Sequence, residues 1–386
     1  MKPTLQSHPT RLASLSLLFA LSAGAPPAHA ADAGVSDTEI VIGNSITLQG
    51  GKNAYGAAAH AGMTLYFNAL NAAGGVHGRR IVMRTLDDDN NTNTAEANAR
   101  KLVKDGVFLL FGSVEGGPST AVMKAADELN VPLFGPMAGP PALRRPAQAM
   151  VFPVRAEHRE EFRALMTFGQ KTGLKRVGFF HADSDGGLAH AKNVELIAKD
   201  LGMELVLPLP FKPDAGDADF DQMAKAIAAA NPDMIMNHGS PGAYQKLIEK
   251  SKSAGVRGAF MGVNSGSSQL AKGLGPLAQG MVFAQVVPSP WQRKHEISRE
   301  YQDAARKFKP DAEFSYGGLE GFLTAKALAL ALKASGRELS RAGFVKALEA
   351  SKLDLGGVSA RYAPGDHEGS RFVDLSMVSV GGKFLH

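Results

Sequence analysis

Ser240 is the strongest candidate for covalent chemistry in this sequence of 386 residues. It lies in the run His238-Gly239-Ser240-Pro241-Gly242, which resembles the G-x-S-x-G turn that exposes a serine nucleophile between a strand and a helix. The run begins with histidine instead of glycine, and Pro241 lacks the backbone N–H that an oxyanion hole requires. Hydrolysis by Ser240 with a histidine partner is therefore the minor interpretation.

The sequence predicts no metal site and no cofactor. The run Asp87-Asp88-Asp89 has the acidic character of a calcium loop, but it lacks the glycine and the terminal glutamate of an EF-hand. A solvated loop that caps the following helix is the preferred interpretation. The histidines form no HxxxH or HExxH pair, and the chain contains no cysteine. The phosphate-binding patterns GxGxxG and GxxxxGK are missing from the strand-to-helix turns, which argues against a nucleotide enzyme.

Short apolar runs rich in β-branched residues alternate with helical stretches along most of the chain. The predicted strands cover residues 40–46, 80–86, 107–111, 131–134, 177–180, 205–207, 234–236, 259–261 and 281–284. The predicted helices cover residues 55–73, 95–104, 119–129, 160–172, 189–201, 220–229, 244–253, 294–308 and 315–334. This order predicts an α/β protein with parallel sheets covered by helices.

The alternation starts again near residue 157, so we expect a second α/β unit from that point. Residues 358–362 and 372–380 alternate between apolar and polar side chains. This alternation predicts a β-ribbon around the turn Pro364-Gly365-Asp366.

Loops after the predicted strands are the expected ligand sites, because open α/β sheets bind ligands outside the carboxyl ends of their strands. These loops cover residues 47–55, 112–118, 135–141, 181–187, 237–242 and 262–268. Their glycines would let a ligand approach backbone N–H groups, although the loops of any α/β protein share this composition. We interpret Tyr55 as an aromatic wall of a binding cleft in preference to a core tyrosine. Trp291 fits either a cleft rim or a packed connector.

The first 30 residues have the pattern of an export signal. The basic residues Lys2 and Arg11 precede an apolar run at residues 12–25, and Ala28-His29-Ala30 has the form of a signal-peptidase site. We expect cleavage after Ala30, since the apolar run falls short of the ~20 residues that a membrane span needs. The absence of cysteine excludes a lipoprotein anchor, so the sequence predicts an exported, soluble protein.

Charge and size exclude further classes. The chain has 42 basic and 37 acidic residues, and removal of Lys2 and Arg11 with the signal leaves 40 − 37 = +3. This balance gives little support for nucleic acid binding. The remaining residues are too many for one ordinary core and enough for two.

The order of several short pieces resembles the type I periplasmic solute-binding proteins of ABC importers, in the branched-chain amino acid (Leu/Ile/Val) binding family. The resemblance covers essentially the whole chain after residue 30. The matching pieces are Ile40-Val41-Ile42-Gly43, Tyr55-Gly56, Ala61-Gly62-Met63, residues 71–75 with Gly78, Asp87-Asp88, residues 99–103 before Gly106, Gly112-Ser113, Val131-Pro132 with Pro136, Phe260-Met261-Gly262, and Gly280-Met281.

This resemblance implies two doubly wound parallel-sheet lobes joined by a three-segment hinge, with a ligand held between them. Lobe 1 would comprise residues 31–156 and 288–361, and lobe 2 residues 157–287 and 362–386. The implied function is capture of a small solute, an amino acid or a related carboxylate or amide, and its delivery to an ABC permease. No reaction would be catalysed, and the protein is expected to be a monomer. A receptor that feeds a chemoreceptor or kinase is an alternative.

The family's site carries over only in part. Tyr55 falls where the family places an aromatic residue that packs on the ligand. Gly116, beside Gly117, falls at a serine position, and Gly139 follows Ala138 at a threonine position. The list of predicted ligand-binding residues is therefore Tyr55, Gly116, Gly117, Ala138, Gly139, Asp185, Ser240 and Asn264.

The family's acidic residue, which meets a ligand ammonium, falls at Asn264. A buried ammonium without its partner would cost about 3–5 kcal/mol. Either Asp185 or Glu115 takes over this contact, or the ligand is not an ordinary α-amino acid.

Overall fold

The computed structural model describes residues 1, 3, 4 and 32–386. The predicted signal peptide therefore lies almost entirely outside the described residues. The chain divides into a unit of residues 1–30 and a unit of residues 31–386, and every helix and strand named below belongs to the second. None of the described helices is both long enough and apolar enough to cross a membrane.

The described residues form strands in two parallel-rich sheets and one small sheet. The strands are β1 (Glu39–Ile46), β2 (Arg80–Asp87), β3 (Leu110–Phe111), β4 (Leu133–Phe134), β5 (Val151–Phe152), β6 (Arg176–Ala182), β7 (Glu204–Phe211), β8 (Met234–His238), β9 (Ala259–Gly262), β10 (Val282–Gln285), β11 (Lys352–Asp354), β12 (Ser359–Ala363), β13 (Asp366–Gly369), β14 (Asp374–Val378) and β15 (Phe384–Leu385).

The helices lie between these strands. They are α1 (Ala54–Ala72), α2 (Thr92–Lys104), α3 (Gly116–Glu128), α4 (His158–Lys171), α5 (Asp185–Leu201), α6 (Asp217–Ala230), α7 (Pro241–Ser253), α8 (Ser267–Leu274), α9 (Glu296–Phe308), α10 (Tyr316–Ala334) and α11 (Arg341–Glu349). Several begin where a polar side chain caps free backbone N–H groups, for example Asn53 before α1 and Ser315 before α10.

The two large sheets confirm the predicted fold class. The first has the order β2-β1-β3-β4-β5 and is parallel throughout. The second has the order β15-β14-β10-β9-β8-β6-β7, and its strands from β10 to β7 are parallel. Helices cover these sheets, so their central strands are buried on both faces and read as apolar runs. Each of the nine predicted strands overlaps an observed one.

The predicted pairing of the tail is wrong. β12 pairs with β13 across the predicted turn, whereas β14 leaves this hairpin and pairs antiparallel with β10 of the second sheet. β13 stays near the first sheet, where His367 stacks on Phe152 of β5 with ring centroids 4.2 Å apart. An alternating segment specifies which side chains are buried, but not which strand it joins. The residue ranges of the two lobes, which the resemblance implied, stay a prediction.

Helices α1 and α10 cross at very close range because glycines line their contact. A Cβ added to Gly62 would lie 1.9 Å from the carbonyl oxygen of Gly318. A Cβ added to Gly321 would lie 2.1 Å from the carbonyl oxygen of Ala59. The two backbones therefore touch directly, and this contact sets the positions of every side chain on the facing helix surfaces.

We expect Gly62→Ala and Gly321→Ala each to lower the free energy of unfolding by about 1–3 kcal/mol, because the added methyl group must push the helices apart. Urea denaturation followed by circular dichroism measures the change. Gly186→Ala is the control, since Gly186 lies in a helix with no atom near its missing Cβ. Equal stability of all three variants would contradict the close crossing.

Candidate functional site

A network of buried polar side chains lies between the two large sheets. We call it the cleft network, and it consists of Tyr55, Arg155, Glu161, Asn264 and Glu320. Tyr55 lies on α1 and Glu320 on α10, both in the core of the first sheet. Asn264 follows β9 of the second sheet, and Arg155 lies in the segment between β5 and α4. The network therefore joins side chains from both sheets.

Arg155 is the central cation of this network. Its Nη2 donates to Glu161 Oε2 at 2.6 Å, and its Nη1 donates to Ser265 Oγ at 3.3 Å. Its Nε lies 3.8 Å from Glu320 Oε1, close enough for an ion pair. Burial opposes the charge of Arg155, but the carboxylates of Glu161 and Glu320 raise its pKa. The guanidinium is therefore charged at every physiological pH.

Asn264 connects the two sides of the network. Its Nδ2 donates to Glu320 Oε2 at 2.7 Å and to Tyr55 Oη at 3.2 Å. Its backbone N–H donates to Glu161 Oε1 at 2.8 Å. Tyr55 Oη also donates to Glu320 Oε2. Two of the predicted site residues, Tyr55 and Asn264, thus meet directly, and Glu320 lies between them.

Two carboxyl groups face one guanidinium in the network, which therefore has a net negative charge when both are ionised. Burial raises the pKa of Glu161 and of Glu320, although the Arg155 guanidinium lowers both. Among the described residues, Glu320 Oε1 has no hydrogen-bond donor. A buried carboxylate oxygen without a donor favours a cationic or protonated partner.

Gly116 and Gly117 form the first turn of α3, where backbone N–H groups lack partners within the helix. A Cβ on Gly116 would meet nothing closer than Pro140 at 3.8 Å, so this turn is open. Glu115 precedes it with a φ of +67°, and its Oε1 accepts from Asn53 Nδ2 at 3.2 Å. This hydrogen bond joins the start of α3 to the start of α1, which carries Tyr55.

Ala138 and Gly139 are buried in the loop after β4. A Cβ on Gly139 would lie 2.6 Å from the ring of His158, and the backbone N–H of His158 donates to the Gly139 carbonyl at 3.2 Å. His158 in turn bonds Glu161 of the cleft network. These two predicted residues therefore lie beside the network.

Asp185 and Ser240 lie at the carboxyl edge of the second sheet, but both are exposed. Asp185 begins α5, and Ser240 caps α7 by accepting from the Ala243 N–H at 3.5 Å. No hydrogen bond joins either side chain to the cleft network among the described residues. Their role in binding stays a prediction.

Two open interpretations are resolved by local contacts. Asn91 caps α2 by accepting from the N–H groups of Asn93 and Thr94, as predicted for the acidic loop. Trp291 stacks on Phe384 with ring centroids 5.9 Å apart and meets Tyr316 edge-on. Trp291 thus packs on two aromatic rings, while 42% of it stays exposed.

Three residues of the cleft network, Arg155, Glu161 and Glu320, were not predicted from the sequence. Glu320 lies in a helix whose residues are almost all buried, among them Leu319, Phe322 and Leu323. A single carboxylate within such an apolar helix is itself a signal of function, because buried carboxylates are rare unless they are paired. Arg155 and Glu161 carry no comparable signal, since both fall in segments of mixed polarity.

Comparison with known proteins gives consistent matches. The family model described as periplasmic binding protein matches residues 39–383. The leucine-, isoleucine-, valine-, threonine- and alanine-binding protein of Pseudomonas aeruginosa is 24% identical over 230 residues, which are 59% of this chain and 61% of that protein. Leu/Ile/Val-binding protein homolog 7 of Brucella abortus is 24% identical over 64% of this chain and 62% of its own. The matched regions thus span about three fifths of these relatives.

Solved structures show the same fold. The crystal structure of a possible leucine/isoleucine/valine-binding protein from Rhodopirellula baltica has a TM-score of 0.81 at 24% identity, with 90% of this chain and 96% of that chain covered. A fatty acid ABC transporter substrate-binding protein from Thermomonospora curvata has a TM-score of 0.81 at 20% identity, with 92% of each chain covered. The same fold thus occurs in proteins whose names specify different ligands.

We expect Arg155→Met to lower the free energy of unfolding by about 3–5 kcal/mol, because Glu161 and Glu320 would be left buried without their cation. Chemical denaturation at neutral pH measures this loss. Arg163→Met is the matched control, since Arg163 pairs with Asp200 on the surface and such pairs contribute about 0–1 kcal/mol. Similar losses in both variants would contradict the central role of Arg155.

The raised pKa of Glu320 predicts a specific pH dependence. The folded state holds this proton more tightly than the unfolded state, whose pKa is near the ordinary value of 4.5. The contribution of Glu320 to stability is therefore fully present below the unfolded pKa. It is lost as the pH rises through the folded pKa.

Glu320→Gln removes this loss, so the variant should gain stability relative to the native protein as the pH rises from about 4 to about 7. Unfolding curves across this range test the expectation, with the exposed Glu338→Gln as control. A stability difference that does not change with pH would refute the assignment.

Proposed function

We propose that this chain, which belongs to the periplasmic binding protein family, is a periplasmic receptor that holds a small solute between its two sheets. It delivers the solute to the permease of an ABC importer and catalyses no reaction. The observation that carries this proposal is the cleft network, in which side chains from both sheets meet around a surplus buried carboxylate.

The charge of the network supports a ligand with an ammonium group. The resemblance placed the acidic contact at position 264, which is asparagine here. Glu320 Oε2 lies 2.7 Å from Asn264 Nδ2, so a carboxylate reaches the same place from the first sheet. An ammonium beside Glu320 would balance the two carboxylates against Arg155. Glu320 is therefore a better candidate for this contact than the exposed Asp185 or the half-buried Glu115.

The first turn of α3 supports a carboxylate at the other end of the ligand. Helix N-termini bind anions through free N–H groups and the positive end of the helix dipole. Gly116 leaves this turn open to a ligand, since a Cβ there would meet nothing closer than 3.8 Å. We therefore propose an amino acid or a related carboxylate or amide, in line with the name of the Pseudomonas aeruginosa relative.

Binding works through closure of two lobes. Each large sheet belongs to one lobe, and the ligand contacts both lobes only when they are closed. To turn a 1:99 balance of closed and open forms into 99:1, the ligand must favour the closed form by about 5.5 kcal/mol. The permease can thereby distinguish a loaded receptor from an empty one.

No observation favours the alternative of a serine hydrolase, because among the described residues the Ser240 hydroxyl has no hydrogen bond to a histidine and only accepts from the Ala243 N–H. A receptor that feeds a chemoreceptor or kinase would use the same ligand site. Binding assays with permease subunits, and not the ligand site, distinguish such a sensor from the receptor of an importer.

The proposal is tested by a thermal-shift screen of amino acids, carboxylic acids and amides, because a ligand of the folded state raises the melting temperature. Small-angle scattering should show that the protein contracts with each ligand found. Failure of every compound in both measurements would refute the proposed ligand class.

We expect Gly116→Leu to abolish this thermal shift while the protein remains folded, because the leucine side chain would fill the space in front of α3. Gly216→Leu is the matched control, since Gly216 precedes α6 with the same 3.8 Å to its nearest neighbour. Calorimetry gives both affinities. Unchanged affinity in Gly116→Leu would place the ligand carboxylate elsewhere.

A further inference from the structure

Three histidines converge at the carboxyl edge of the second sheet. His158 begins α4, His190 lies on α5, and His238 ends β8. One ring nitrogen of each lies within 4.8 Å of the corresponding nitrogens of the other two. The ring centroids of His190 and His238 are 3.9 Å apart, and that of His158 is 4.7 Å from His238. The three imidazoles therefore share one small space.

The imidazoles are in the form that binds metals. Burial is the main cause that lowers the pKa of His158, His190 and His238 well below the usual value. The three rings are therefore neutral at physiological pH, and neutral imidazole is a common ligand of transition metals.

Hydrogen bonding leaves ligand atoms free. Neither ring nitrogen of His190 has a partner among the described residues, and Nδ1 of His238 has none there either. Burial of unpaired polar nitrogens destabilises a fold unless another group binds them. The neighbouring His181 differs, because its Nδ1 lies 2.9 Å from the Ala182 carbonyl oxygen.

A carboxylate orients the remaining ring. His158 Nδ1 lies 2.7 Å from Glu161 Oε2, so it donates its proton there and leaves Nε2 with a free lone pair. A carboxylate behind a histidine is the usual outer partner of a metal ligand, since it fixes the tautomer and raises ligand basicity. Glu161 thus belongs to both the cleft network and the histidine cluster.

We propose that His158, His190 and His238 bind a divalent transition metal, with Zn²⁺ as the best match to three imidazole nitrogens. Zn–N bonds of about 2.0–2.1 Å in a tetrahedral site place ligand nitrogens about 3.4 Å apart. The three nitrogens lie within 4.8 Å of one another, so metal binding would draw them together to this spacing. Three protein ligands leave a fourth position for water or for a donor atom of a bound solute. This inference does not rest on the proposed function.

The experiment uses protein purified without a polyhistidine tag and stripped of metal with EDTA. Zn²⁺ titration against a chromophoric chelator should give one site per chain, and Co²⁺ should give the visible absorption of a tetrahedral complex. His190→Leu and His238→Gln should each weaken Zn²⁺ binding at least 100-fold. The control His60→Gln, on α1 beside Thr85, should bind as the native protein does.

Melting temperatures measured with and without Zn²⁺ distinguish a metal site from a site that holds only water. His190→Leu should melt at the same or a higher temperature than the metal-free native protein, because it removes two unpaired nitrogens, and Zn²⁺ should no longer raise this temperature. If His190→Leu does not fold, the less buried His238→Gln carries the test. The proposal would be overturned if the native protein failed to bind one Zn²⁺ per chain. It would also be overturned if the His190→Leu and His238→Gln variants bound Zn²⁺ as tightly as His60→Gln does.

Discussion

The buried guanidinium of Arg155 must be neutralised, and this requirement organises the space between the two sheets. Its partners come from separate elements, Glu161 from α4 and Glu320 from α10. A buried charge that loses its partner costs several kcal/mol, so these elements are constrained to stay together. Arg155 lies in the segment that connects the first sheet to α4. The constraint therefore acts where the chain passes from one sheet to the other.

The second requirement is a rigid support for the carboxylate of Glu320. Helix α10 packs directly against α1, because Gly62, Gly318 and Gly321 bring the two backbones into contact. Tyr55 lies at the start of α1 and donates to Glu320. A short polar network supported by a close helix crossing keeps its geometry better than one supported by loops.

Much of the fold could be predicted from the sequence, since the apolar runs of buried parallel strands are distinctive. Residues 40–46 and 234–236 are examples, because they carry almost only apolar or small residues. The pairing of the tail could not be predicted, since the alternation in β12 and β14 is the same although they join different sheets.

The candidate site was predictable only where a motif marked it. Tyr55 and Asn264 follow from the resemblance, and the structure brings them together. Glu320 is distant in sequence from both and meets them only through the helix crossing. The three histidines likewise come from α4, α5 and β8, so spacing rules for metal ligands on one helix could not find them.

The close contact of α1 and α10 has a consequence for how such proteins diverge. Glycines on both helices hold the backbone at position 320 in place. A substitution of Glu320 therefore changes the charge that faces a ligand without moving the helix. Related proteins with a different ligand specificity can therefore arise by exchange of a single side chain on an unchanged backbone. The glycines themselves should resist replacement across that divergence, because any larger residue would displace the whole support.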